Sequence, residues 1–325
     1  MTNPSKRSRL AAAVAIGMVA GTLTLYLRMS GALGATDFNV MWIAGRAMHA
    51  GADPYTAVRA HFPWPMNYPL PAAVLTLPFA VLPRVGAAAV WTAIGFGVLA
   101  YCLTSTAWWP LLCLANYPAV EAAQLAQWSP LVTVIGVAPA WAFLCVAKPT
   151  TAGEVTLAFL SRVVHRPPLI RALIAAGVLV LASFAIRPTW VSEWLATVRA
   201  SHEFTPLVLR PGGVVLLLAL VKWKRPEARL IALMALVPQA GGAYDALPLI
   251  LAVTSRTEAL VFACLSLAGS QFLIPAAGVG ATYEAAVRRD IPVLLVSTYL
   301  PVLVMVLRPP NVWPIGVKPL AACHG

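Results

Sequence analysis

Charge is what this sequence has least of. Charged residues make up 10% of its 325 positions, hydrophobic residues 60%, and mean hydropathy is +0.80. A soluble domain runs at roughly 45–50% apolar and about 25% charged. A water-soluble fold of this length cannot hide so much apolar surface, so composition defines an all-α polytopic membrane protein. Acidic side chains are the rarest charges, 11 against 23 Lys and Arg. The five histidines are scattered without an HExxH-type spacing. Four of the five cysteines, Cys102, Cys113, Cys145 and Cys264, fall inside apolar runs, and none forms a CxxC pair. They read as small buried hydrophobes, and neither a metal site nor a cofactor is expected.

The net charge of +12 points away from nucleic acid once its placement is considered. The basic residues stand in short clusters between apolar runs: Lys6-Arg7-Arg9, Arg162 to Arg171, and Lys222 to Arg229. No cluster is interleaved with aromatics as base stacking requires. The pattern is that of basic loops held on the cytoplasmic side of a membrane, with lipid headgroups as further partners. The N-terminus is expected in the cytoplasm and the protein in the cell (inner or plasma) membrane. Because the first apolar run is long for a cleaved leader, we read it as a retained span.

Leu10 to Leu27 is an uncharged run of 18 residues, enough to cross a bilayer. We read one integral-membrane domain over 1–325: a first span at 10–29, an extracytoplasmic loop at 30–83, a helical bundle at 84–307, and a tail at 308–325. Spans are expected at 85–104, 107–120, 171–187, 259–276 and 291–307. Ala122 to Ala147 is one kinked span or two half-helices, and residues 230–237 and 246–253 form a hairpin or one broken helix. With those segments the total is about eight to ten.

Polar residues concentrate in the first loop, from Thr36 to Pro71. Val40 to Ala50 places Met41, Ala44, Ala47 and Met48 on one side at helical spacing, which predicts a short interfacial helix lying on the membrane. Gly51 is its expected C-cap, and Asp53-Pro54 a turn. Five prolines between Pro63 and Pro78 oppose a regular helix and predict a re-entrant segment beside a wet cavity.

Several residues in this frame carry possible chemistry. Asp37 is a candidate general base or a helix N-cap. Tyr55 and Tyr68 line a pocket or anchor the interface. His49 and His61 are candidates for contact with a phosphate or an acceptor, and Arg46 for contact with a phosphate or with headgroups. Lys148, beside a proline at membrane depth, is either functional or a snorkelling cytoplasmic anchor. Arg187, His202 and Arg210 belong to or border an outer loop and are candidates for binding the phosphate of a carrier. Tyr244-Asp245 carries the second acidic signal.

The order of these features resembles glycosyltransferase family 87, bacterial membrane mannosyltransferases of the GT-C type, in a short or divergent form. The resemblance rests on Asp37 just after the first span, Ala44, and Gly51-Ala52-Asp53-Pro54-Tyr55. It continues through Tyr68-Pro69-Leu70-Pro71, Leu77-Pro78, Leu82-Pro83 and Trp91. Gln127-Trp128-Ser129-Pro130, Lys148-Pro149-Thr150 and the stretch from Pro238 to Leu247 extend it. It implies a GT-C-like bundle and a cell-envelope transferase that moves a hexose, expected to be mannose, from a polyprenyl-phosphate carrier to a lipid or glycan acceptor. It implies Asp37 as the base, and Gln127 among the substrate-binding residues. An alternative reading is a flippase or transporter of a lipid-linked glycan, or a non-catalytic scaffold descended from such an enzyme.

Overall fold

The computed structural model describes residues 4–30, 37–200, 205–238, 242–272 and 290–308. Among these residues the chain is helical throughout, with no strand. Helix α1, Lys6–Met29, is started by Ser5, whose side chain accepts from the Ser8 amide. The outer loop folds into α2, Asp37–His49, α3, Pro54–His61, and α4, Leu70–Thr76, followed by a 3-10 turn at Leu77–Val81. A second long helix, α5, covers Arg84–Leu103. Then come α6, Tyr117–Gln124, α7, Ser129–Val134, and a 3-10 helix at Pro139–Val146. Helices α8, Pro149–Ala158, α9, Leu160–Val163, α10, Arg166–Ile186, and α11, Trp190–Ala200, follow. A 3-10 helix at Gly213–Lys222 leads to α12, Pro226–Leu236, and a further one spans Ala243–Ala252. The chain closes with α13, Arg256–Ser270, and α14, Asp290–Leu307, which holds a π-helical stretch at Leu295–Tyr299.

Four of these helices, α1, α5, α10 and α14, are long and apolar enough to cross a membrane. At 1.5 Å per residue even the shortest, of 18 residues, reaches about 27 Å. The expected span at 107–120 is instead a 3-10 turn at Trp109–Leu114 followed by α6, because Pro110 and Pro118 each restart the helix. Ala122 to Ala147 resolves into broken pieces. The prolines do not abolish helix. They sit at the first or second helical position in α3, α4, α6, α7, α8, α10 and α12, where a missing N–H costs nothing.

The tightest packing joins α1 to α5. Ala13, Gly17 and Gly21 face Ala89, Ala93 and Gly97, small residues four apart on both helices, so the backbones approach closely. Arg9 near the start of α1 donates to the Tyr101 carbonyl near the end of α5, which makes the pair antiparallel. A Cβ built on Gly17 would lie 2.5 Å from the Ala93 carbonyl oxygen, a backbone atom that cannot rotate away. Gly17→Val is therefore expected to lower stability by about 1–3 kcal/mol or more. Gly86→Ala, where a Cβ meets nothing within 4 Å, should leave it unchanged or slightly higher. Thermal unfolding in detergent reads both.

Basic residues cluster at helix C-terminal ends, where a cation complements the dipole. Arg162 donates to the Gly136 carbonyl just past α7, Arg229 to Ala158 of α8, and Arg225 to Val306 of α14.

Helix α2 differs from its sequence expectation in its setting. Its Met41 and Ala44 are fully buried, packed with α3, α4 and α5 in the protein core rather than lying on lipid. Gly51 does end it: φ is +68°, and the Ala52 amide returns to the Ala47 carbonyl at 2.8 Å. Asp53 is more than a turn former. It caps α3, a helix not expected from the sequence, accepting from the Tyr55 amide at 2.9 Å and the Thr56 hydroxyl at 2.8 Å.

Candidate functional site

The polar residues that stand out in sequence fall into two groups in space. The first is largely buried, with Asp37 and Tyr68 half-buried. Asp37 opens α2, and the Gln127 side-chain amide donates to its Oδ2 at 2.6 Å. Gln127 is aimed by its backbone. Helix α6 stops in a Schellman turn in which the Gln127 amide returns to the Ala122 carbonyl, with Ala126 at φ +51° where glycine is usual. A non-glycine residue in that region stores about 1 kcal/mol of strain, a feature that clusters at functional sites.

Lys148 caps α8 through its backbone position, and its ammonium lies 3.6 Å from Asp245 Oδ1 in the first turn of the 3-10 helix Ala243–Ala252. Both side chains are at least nine-tenths buried. That separation is longer than a hydrogen bond, and among the described residues Asp245 Oδ1 has no hydrogen-bond donor. Asp37 stands within electrostatic reach of Asp245, which joins the two pairs into one site. The Lys148 ammonium also lies 5.9 Å from the Tyr68 ring and 5.6 Å from the Tyr244 ring. Lys148 is thus a buried, paired cation, which rules out the snorkelling anchor.

An aromatic wall backs this group. Tyr68 stacks on Trp128 with centroids 6.3 Å apart, Trp128 meets Trp91 at 4.7 Å, and Phe38, next to Asp37, stacks on Trp91 at 5.8 Å. Tyr55 is buried beneath, its hydroxyl donating to the Tyr68 carbonyl at 3.5 Å. It supports Tyr68 rather than joining the polar cluster. Gln127 Oε1 and Ser129 Oγ are buried without a hydrogen-bond partner among the described residues.

The second group is a surface brace. Arg187 at the end of α10 pairs with Asp53 at 3.0 Å and with Glu193 of α11 at 2.5 Å. Trp194 of α11 donates to the Asn67 carbonyl at 2.9 Å, next to Tyr68. Burial opposes ionisation of Asp53, but the Thr56 hydroxyl, the Tyr55 amide and Arg187 outweigh it and hold its carboxyl below the usual 3.8. A depressed folded pKa contributes stability that is present above the unfolded value and lost as pH falls through the folded one. The brace should therefore loosen only below about pH 4. Asp53→Ala, which also removes the cap, is expected to cost about 1 kcal/mol at neutral pH. Its unfolding curve should show less loss between neutral pH and pH 3 than wild type.

Other expected residues make their contacts elsewhere. Arg46 lies over the Trp42 ring at 5.8 Å, His49 faces the Leu77 carbonyl at 3.4 Å, and His61 faces the Ala57 carbonyl at 2.9 Å. His202 lies outside the described residues. Glu121, which the sequence reading does not single out, touches the site: its Oε2 accepts from the Tyr244 amide at 2.7 Å. A shallow apolar recess of about 450 Å³ lies apart from the polar cluster, along the last turns of α1, between Thr22, Leu25, Tyr26, Met29 and Ser30. Among the described residues no cluster of three or more His, Cys, Asp or Glu could hold a metal ion.

The site therefore offers an oriented carboxylate, a buried ammonium and an aromatic wall within an all-α membrane protein. Such a set can accept a proton, neutralise an anion and stack a sugar or ring. No protein family, no curated protein and no solved structure matches this chain.

Proposed function

We propose that the protein is a multi-pass membrane glycosyltransferase that moves a hexose, in our reading mannose, from a polyprenyl-phosphate carrier to a lipid or glycan acceptor at the extracytoplasmic face. The observation that carries this reading is the meeting of Asp37–Gln127 with Lys148–Asp245 in one buried cluster. These residues come from four separate parts of the chain.

In this reading the acceptor hydroxyl attacks the anomeric carbon while its proton passes to the Asp37 carboxylate. The bond from that carbon to the phosphate oxygen breaks, and the phosphate leaves with the electron pair. Lys148 meets the phosphate charge as it develops. Asp245 holds Lys148 at a loose 3.6 Å, a contact a phosphate oxygen could replace with a charge-assisted hydrogen bond. Tyr68 and Tyr244, within 6 Å of Lys148, form the side walls for the sugar.

The test is transfer by purified protein in proteoliposomes carrying a polyprenyl-phosphate hexose and a mixed lipid extract as acceptor. A new glycosylated product supports the reading. Movement of a lipid-linked glycan across the bilayer without bond formation favours a transporter, and neither result favours a scaffold.

A further inference from the structure

The 3-10 helix that carries Asp245 begins without a cap of its own. Its N-cap is Gly242, which has no side chain to offer the first amides. The missing acceptor comes from elsewhere in the chain. Glu121 of α6 takes the Tyr244 amide on Oε2 at 2.7 Å, accepts from the Ala243 amide as well, and is hydrogen-bonded by the Tyr117 hydroxyl. A carboxylate at a helix start is favoured by the exposed N–H groups and by the dipole together. Here it comes from a residue 123 positions away.

The location of that carboxylate gives it a second consequence. Helix α6 is itself pinned. Thr24 of α1 donates to the Ala123 carbonyl at 2.6 Å, and Asn116 caps its start by accepting from the Ala119 amide at 2.8 Å. Its end leads through the strained Ala126 to Gln127, which holds Asp37. The residue after Tyr244 is Asp245, which faces Lys148. Glu121 thus joins the element that aims Asp37 to the element that holds Lys148. A capping side chain at position 242 could not take over this role, because a Cβ there would lie 2.3 Å from the Tyr244 ring.

We propose that Glu121 is a positioning residue that sets the distance between the proton-accepting arm and the anion-holding arm of the site. This rests on the reading of Lys148 as a phosphate-binding residue. The probe is farnesyl phosphate, titrated against purified protein in detergent, with Glu121→Ala, Glu121→Gln, Lys148→Ala and the double variant Glu121→Ala/Lys148→Ala. Glu121→Ala should weaken binding about ten- to a hundredfold, as leaving a buried amide donor without its acceptor does. Glu121→Gln keeps an acceptor for the amide and should recover most of that loss. The double variant should bind no worse than Lys148→Ala alone, because both changes disable the same arm. Wild-type affinity in Glu121→Ala, or losses that multiply in the double variant, would overturn the proposal while leaving the transferase reading intact. No binding by wild type would overturn the phosphate reading of Lys148 and this proposal with it. The expected binding pattern without any sugar transfer would support the positioning role and count against the transferase reading alone.

Discussion

Asp37→Asn is expected to slow sugar transfer about 10²–10⁴-fold, the usual contribution of a general base, while the protein unfolds at nearly its wild-type temperature. The two effects separate because of how Asp37 is held. Gln127 donates its amide to one side-chain oxygen at 2.6 Å, and Asn presents an oxygen of the same shape in the same place. The neighbouring Phe38–Trp91 stack is untouched. What Asn cannot do is take a proton from an attacking hydroxyl. Gln127→Leu tests the other half of the contact. It should impair transfer less than Asp37→Asn does, since the carboxylate remains but loses its orientation. A normal rate in Asp37→Asn would remove Asp37 from the mechanism.

The second large effect concerns stability. Lys148 and Asp245 are buried together, and removing one leaves an uncompensated charge in a low-dielectric interior. Lys148→Met and Asp245→Leu are each expected to destabilise by about 3–5 kcal/mol, the range for breaking a buried pair. The double replacement Lys148→Met/Asp245→Leu removes both charges, and a matched apolar pair in such a place is often neutral. It should recover most of the stability yet bind no prenyl phosphate. That pattern separates the two roles of the pair, since a purely structural pair would leave binding intact once the fold is restored. Equal stability in all three variants would show that the 3.6 Å contact contributes nothing to the fold.

The membrane character was legible because composition leaves no alternative, and the long spans at α1, α5, α10 and α14 follow from uninterrupted apolar runs. The broken helices were less so. Their prolines read in sequence as obstacles to helix, but at the first helical positions they act as starters, a distinction that depends on where the helix begins. The two Schellman stops show the same limit. Gly51 announces its turn by being glycine, whereas Ala126 adopts a similar turn at φ +51° with nothing in its identity to mark it. The α1–α5 seam is written in small residues, but their face appears only once the partner helix is known.

The site was legible to the extent that rare polar residues in an apolar chain are expensive to bury and so stand out. Asp37, Tyr68, Gln127, Lys148, Tyr244 and Asp245 come together, although they come from five separate parts of the chain. Arg46, His49 and His61 make their contacts elsewhere, because their loop packs as α2 and α3, which turns them onto Trp42 and onto backbone carbonyls. Glu121 was overlooked because its partner is a backbone amide 123 residues away, and no side-chain pattern records such a contact.

The central claim is that this buried cluster transfers a sugar, with Asp37 as the base. It is tested most directly by reconstituting wild type and Asp37→Asn side by side with a radiolabelled polyprenyl-phosphate hexose and lipid acceptors, and following the label by chromatography. The account predicts a new labelled glycan or glycolipid with wild type and almost none with Asp37→Asn. Label that remains on the carrier with both proteins, or moves equally fast with both, would contradict it.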